Sequence, residues 1–403
     1  MISAATASLG LAALLAACIL LSHYNNNVPD EKMSGAAEWR QAGHADLSVF
    51  PAPEVEKARR WPKVELHLHL DGSLSPEFVA ERAAARNVSL PAPPPALRQW
   101  LMQRKLEQLR GGNKAQPGGN WGVFDWCNQF LQTGPELTAA TADLLARLAA
   151  ENVVYAEIRF CPALHTQEGL REEEAVEAVW AGFRGQTAVA GGPVLVALRS
   201  LTPAHGLNTA HLAAATAALG FDVAGDEGSF PLAGPQHSMA AAVEEAVQLG
   251  LPVTLHAGEW PERFGSLDNL RWAVEKEGVR RVGHGIAFRS DPTLATTIKQ
   301  RNITLEVCLT SNIGNGFKVA SYAVHPVRQL EEAGVAYSLS SDNLLLSGDP
   351  GHAPGPTAEL LHLVHSVGLG WATARRSVLA GLRAAFSNTV DQVFIENVEK
   401  QLV

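Results

Sequence analysis

Val64-Glu65-Leu66-His67-Leu68-His69-Leu70-Asp71-Gly72 is a strand-forming run that closes on a glycine turn. Positions i and i+2 of a strand point to the same face, so His67 and His69 converge on one point. A single imidazole is usually a satisfied structural residue. Two on one strand face, just ahead of a turn, make metal ligation an equal reading, and that reading requires further ligands at the ends of other strands.

Strands of this kind recur along the chain. Short β-branched or apolar runs at Val64–His69, Val153–Phe160, Val194–Arg199, Gly220–Ala224, Pro252–His256, Arg281–His284, Ile303–Val307 and Val335–Ser340 alternate with Ala/Leu/Glu-rich stretches at helical spacing. Eight strands alternating with helices predict parallel pairing in an α/β fold, and at 403 residues a closed (β/α)8 TIM barrel is the expected architecture. Its active site would lie at the C-terminal ends of the strands. The interval from Pro76 to Asn152 is too long for one crossover helix and carries a Pro-rich patch at Pro91–Pro95 and a Gly/Asn patch at Gly111–Gly122. It predicts extra capping helices after strand 1, with Trp121 to Phe130 as a candidate lid or, as is commoner for an aromatic cluster at helical spacing, part of the core.

Composition narrows the partners. The chain is 46% hydrophobic and 18% charged, with a formal net charge of -9, so nucleic acid and anionic membranes, which call for basic patches, are disfavoured. A small neutral or cationic ligand remains. The four cysteines, Cys18, Cys127, Cys161 and Cys308, form no CxxC pair, which leaves any metal to histidine and carboxylate. Residues 1–24 hold an uncharged Ala/Leu-rich run, Ile2 to Leu21, expected to be a signal peptide or membrane anchor. That segment is the one expected membrane contact; its lack of an early Lys or Arg keeps open a loosely docked helix on a cytosolic protein. Residues 25–60 read as a polar leader and 61–403 as the folded domain.

The other strand ends supply what the first one asks for. Leu255-His256-Ala257-Gly258-Glu259, Gly283-His284-Gly285 and Ser340-Ser341-Asp342-Asn343 place imidazoles and carboxylates at the expected catalytic rim. Each alone is weak, since a strand-end Asp is often a helix cap and Glu259 alone would pass for a solvated charge. Together, His67, His69, His256 and Asp342 make a three-imidazole, one-carboxylate cage suited to Zn2+ with an open position for water. Zinc lowers the pKa of such a water to about 7. His284 is placed to accept its hydrogen bond and aim it, and Glu259 to shuttle protons.

At this point the chain resembles the adenosine deaminases of the amidohydrolase-type barrels, in a variant with Asp-Asn at the eighth strand. The resemblance covers Pro62 to the C-terminus and rests on Pro62 to Gly72, Val154-Tyr155-Ala156-Glu157-Ile158-Arg159-Phe160, Gly220 to Glu227, His256-Ala257-Gly258-Glu259, Gly283-His284-Gly285 and Leu305-Glu306-Val307-Cys308-Leu309-Thr310-Ser311-Asn312, in that order. It implies one zinc held by His67, His69, His256 and Asp342, and deamination of adenosine, with 2'-deoxyadenosine, to inosine and ammonia. It implies Glu259 as the acid that protonates purine N1 and His284 as the group that orients the hydroxide. It implies that His69 and Asp71 meet the ribose hydroxyl, that the Gly225 backbone donates to N3 and that Asn343 donates to N7. Asn343 stands where many members carry a second Asp; an amide still offers N7 a donor.

Within the same superfamily the alternative is an adenine or N6-substituted AMP deaminase, against which Asp71 argues by repelling a phosphate. A protein that binds adenosine without turnover is the alternative outside enzymes. A polynucleotide deaminase is set aside for want of CxxC ligands. No role is read for His165, His205, His211, His237, His325, His352, His362 or His365.

Overall fold

The structure is a computed structural model and describes residues 45–110, 122–232, 239–260, 265–314, 318–349 and 352–403. Eight strands form one sheet in sequential order: β1 Lys63–His69, β2 Val153–Phe160, β3 Ala190–Leu198, β4 Gly220–Ala224, β5 Val253–Ala257, β6 Val279–His284, β7 Thr304–Val307 and β8 Tyr337–Leu339. Every pairing from β1 to β8 is parallel. A bridge between Leu68 and Asp342 joins the end of the last strand to the first, through His69 N–H to the Asp342 carbonyl at 2.8 Å and Asp342 N–H to the His67 carbonyl at 2.9 Å. The expected TIM barrel is therefore present, and the backbone of three expected ligands closes it.

β2 and β4 match the sequence reading, β1, β5, β6 and β7 differ from it by one or two residues at an end, and β3 and β8 differ most. β3 starts at Ala190, four residues before the expected Val194, because Gly191, Gly192 and Pro193 lie in register with Ala156, Glu157 and Ile158 of β2. Residues of low strand propensity are carried there by pairing. β8 contracts to Tyr337–Leu339.

The interval after β1 folds into helices Pro76–Ala85, Pro94–Arg110, Gly122–Asn128 and Gly134–Ala150. Ser75 caps the first by accepting from Phe78 N–H at 3.0 Å, with Pro76 in the opening turn. Thr133 and Glu136 form a reciprocal capping box on the last. Leu97 and Leu101 from these helices share an apolar cluster with Leu68 and Leu70, which sets the helices beside the C-terminal end of β1. Phe124, Asp125 and Asn128 line the cavity there, while Val123, Phe124, Cys127 and Phe130 are buried in the same apolar cluster, so the segment is core as well as cavity wall; Trp121 lies outside the described residues.

The leader reading of 25–60 needs correction at its end. Ala52–Arg60 is a helix, with Pro51 ahead of it, Ala58 buried and Glu54 accepting from Trp371 Nε1 at 2.7 Å. Its apolar positions are too few for a periodic signal, so docking rather than pattern defines it. Residues 1–44, including the whole apolar run, lie outside the described residues, and among the described ones no helix is long and apolar enough to cross a membrane.

The barrel interior is charged. Arg159 on β2 binds Asp222 of β4 at 2.8 Å and Glu306 of β7 at 2.9 Å; Arg281 of β6 binds Glu306 at 2.7 Å and also pairs with Glu157 of β2. All five are fully buried. The apolar core lies outside this plug, between strands and helices, with Leu66, Phe221, Leu255, Val282 and Leu305 among its members.

Candidate active site

β1, β5 and the turn after β8 deliver four groups whose ligand atoms lie within 4.8 Å of one another: His67, His69, His256 and Asp342. His69 Nε2 is 3.2 Å from His256 Nε2, and Asp342 Oδ1 is 3.4 Å from His67 Nε2 and 3.5 Å from His69 Nε2. The outward nitrogens of two of the rings are engaged: His67 Nδ1 lies 2.8 Å from Glu306 Oε2 and His256 Nδ1 2.9 Å from Asp222 Oδ2. Glu306 accepts from His67, so that Nδ1 carries the proton and the ring turns an Nε2 lone pair inward, whereas His256 Nδ1 faces the Asp222 carboxylate without a hydrogen bond of good geometry. His67 Nε2 is buried with no hydrogen-bond partner. Lone pairs set this close repel one another unless a cation lies between them, so the donor set fits a divalent metal of nitrogen and oxygen preference.

Electrostatics divides the rings: burial and Arg159 oppose protonation of His67, but its contacts with Asp342 and Glu306 raise it above the ordinary imidazole value. Burial holds His69 well below the ordinary imidazole value and lowers His256, which keeps both neutral. Burial would raise Asp342, but the surrounding imidazoles, His67 first, hold it well below the carboxylate range. Its second oxygen accepts from Ser311 Oγ at 2.6 Å and Ser347 Oγ at 2.9 Å. Gly283 makes room for His67 on β1: a Cβ there would stand 2.7 Å from His67 Cε1.

Across the cavity, Glu259 Oε1 lies 3.6 Å from His284 Nε2, and these two with Asp342 form a second group within 4.8 Å. Glu227, buried on the β4 loop, accepts from the backbone of Gly258 at 2.6 Å and Glu259 at 2.9 Å and so fixes the turn that presents Glu259. Burial pushes His284 down to about 3, leaving it neutral. Burial also opposes ionisation of Glu259, yet the Lys318 ammonium bound to it keeps the carboxyl ionised. Asp71, Gly225 and Asn343 line the same cavity. The Asp71 carboxyl is pushed up to about 6 by burial and accepts from Gly72 N–H at 3.0 Å.

Comparison with known proteins gives this arrangement a family. Residues 62–400 match the adenosine deaminase family model. Adenosine deaminase of Enterococcus faecalis is 35% identical over 301 residues, 73% of this chain and 84% of its own length; that of Mycobacterium marinum is 31% identical over 364 residues, 83% and 92%. This chain is an adenosine deaminase family member. Among solved structures, the N6-methyl-AMP deaminase of Arabidopsis thaliana superposes with a TM-score of 0.66 at 24% identity, covering 86% of this chain and 98% of that one. A zinc-bound amidohydrolase from Burkholderia ambifaria does so with a TM-score of 0.70 at 22% identity, covering 90% and 95%. Both show the barrel fold.

The site residues expected from the sequence of this adenosine deaminase family chain come together at one cavity: all but His67 line it, and His67 completes the ligand group from within the barrel. Reading the sequence missed the groups behind them. Asp222 stands behind His256 and Glu306 behind His67, Glu227 holds the Glu259 turn, and Ser311 and Ser347 hold Asp342. The signal for the first two was present: an ionisable residue amid an apolar strand, in Phe221-Asp222-Val223 and Leu305-Glu306-Val307, needs a buried partner. Lys105 and Lys318 also line the cavity and were not anticipated. Lys105 donates to the Leu346 carbonyl at 2.7 Å, and its pKa is lowered to about 8 by burial.

Proposed function

We propose that this chain hydrolyses adenosine, and 2'-deoxyadenosine, to inosine and ammonia, with zinc as its metal. The observation that carries the reading is a three-imidazole, one-carboxylate donor set at one cavity and, facing it, the Glu259–His284 pair. Held by His67, His69, His256 and Asp342, zinc supplies Lewis-acid activation of water. Glu259, ionised beside Lys318, takes a proton as the water adds to purine C6 and passes it to N1; a second proton reaches the departing amine, and ammonia leaves. Asp71 and His69 receive the ribose hydroxyl, Gly225 offers its backbone N–H to N3 and Asn343 its amide to N7.

An N6-substituted AMP is the second reading, favoured by the two cavity lysines and opposed by Asp71, whose carboxylate repels a phosphate. Purified full-length protein with zinc is incubated with adenosine, 2'-deoxyadenosine, adenine and N6-methyl-AMP, and inosine, deoxyinosine, hypoxanthine and IMP are separated by chromatography. Inosine from adenosine is the expected product; IMP alone would move the substrate to the second reading. Glu259→Gln is expected to retain zinc and lose roughly 10²-fold or more of kcat, whereas Asp342→Ala loses metal as well. Undiminished turnover in either variant would remove the mechanism.

A further inference from the structure

Behind His284 runs a chain of hydrogen bonds that starts at the backbone. Val327 N–H, which can only donate, lies 3.1 Å from His325 Nδ1. That nitrogen must accept, so the proton of the neutral His325 ring sits on Nε2. His325 Nε2 is 3.2 Å from Asn312 Oδ1, and only that orientation of the amide gives the Nε2–H an acceptor. The Asn312 amino group then faces His284 Nδ1 at 3.1 Å. An amide nitrogen donates and does not accept, so His284 Nδ1 is the unprotonated nitrogen. All three side chains are buried. The usual ambiguities of amide flip and imidazole tautomer are both removed, because the direction is set by a backbone amide at one end.

We propose that His325 and Asn312 act as positioning residues that fix His284 as its Nε2–H tautomer, so that the ring donates to the attacking water rather than accepting from it. The expectation from sequence had the opposite direction for this bond. The inference deepens the deaminase reading, on which it rests, by dividing the work. A donor at Nε2 cannot take the water's proton, so that task falls to Glu259 alone, while His284 stabilises negative charge building on the oxygen.

The direct test is 15N NMR of the zinc-loaded, histidine-labelled full chain, with the His284 ring signals identified by their loss in His284→Gln. Wild type is expected to show the proton on Nε2. Asn312→Asp presents acceptors to both imidazoles, so it should move the His284 proton to Nδ1, with kcat down roughly 10²-fold, KM for adenosine within about twofold and zinc content unchanged. His325→Phe removes the anchor without adding charge; it should leave His284 as a mixture of tautomers, with a smaller fall in kcat. A wild-type proton on Nδ1, or a tautomer that neither variant alters, would overturn the proposal. The NMR reads the ring without substrate, so failure of the adenosine assignment leaves this test standing.

Discussion

Asp342 is a non-glycine residue at a φ of 64°, in the left-handed region that such residues avoid at a cost of about 1–3 kcal/mol. His284 shares the conformation at 62°. Asp342 is held there by its two backbone bonds to β1 and by a side-chain sequence that runs from Asn343 Nδ2 to Ser347 Oγ at 3.1 Å and from Ser347 Oγ to Asp342 Oδ2. Ser347 has one hydroxyl proton. The Asn343 amide leaves it for Asp342, whereas an aspartate at 343 would compete for it. Asn343→Asp is therefore expected to weaken metal binding by about tenfold as well as raising KM for adenosine, read by chelator competition and steady-state kinetics. Unchanged metal affinity would confine Asn343 to substrate recognition.

At the scale of elements, short helices are tied to the barrel rim by buried carboxyls. Glu359, in the helix Pro356–Leu361, accepts from Leu309 N–H at 2.8 Å and Thr310 N–H at 3.2 Å and so caps the five-residue helix that carries Ser311 and Asn312. Burial raises the Glu359 carboxyl to about 7. The folded state thus binds this proton more tightly than the unfolded chain does, so its contribution is full below the unfolded value and is lost as pH rises through 7. A displacement of that size limits the contribution to roughly 3 kcal/mol at most. In urea unfolding at pH 5 and pH 7.5, Glu359→Gln should show a smaller fall in stability between the two than wild type does. An identical fall would show that the helix cap is not the titrating group.

At the scale of the molecule, the interior ion network couples stability to the metal site. Arg281 neutralises Glu157 and Glu306, and Glu306 in turn orients His67. Removing one partner of a buried network leaves an uncompensated charge, so Arg281→Met is expected to cost about 3–5 kcal/mol and to weaken metal binding. Thermal unfolding with and without chelator checks both effects. A variant that lost stability but bound metal normally would separate the plug from the ligands.

Periodicity of two in Val64 to Gly72 and the eightfold strand and helix rhythm were enough to read the barrel and the convergence of His67, His69, His256 and Asp342 at its C-terminal end, because strand-end chemistry is local to each motif. Partners were not readable. That Glu306 serves His67 across 239 residues, that Asp222 serves His256, or that Lys318 meets Glu259 depends on which side chains the closed barrel stacks in its interior. The helix at Ala52–Arg60 and the Gly-Gly-Pro start of β3 escaped for the same reason: docking and strand pairing overrode weak local preference. His325 had no sequence signal at all. The sequence by itself determined the fold class and the chemistry of the rim, since both rest on residue type and spacing. The tertiary structure alone decided the direction of each proton, because a hydrogen bond's polarity is set by the group it meets, and those groups come together only when the chain closes on itself.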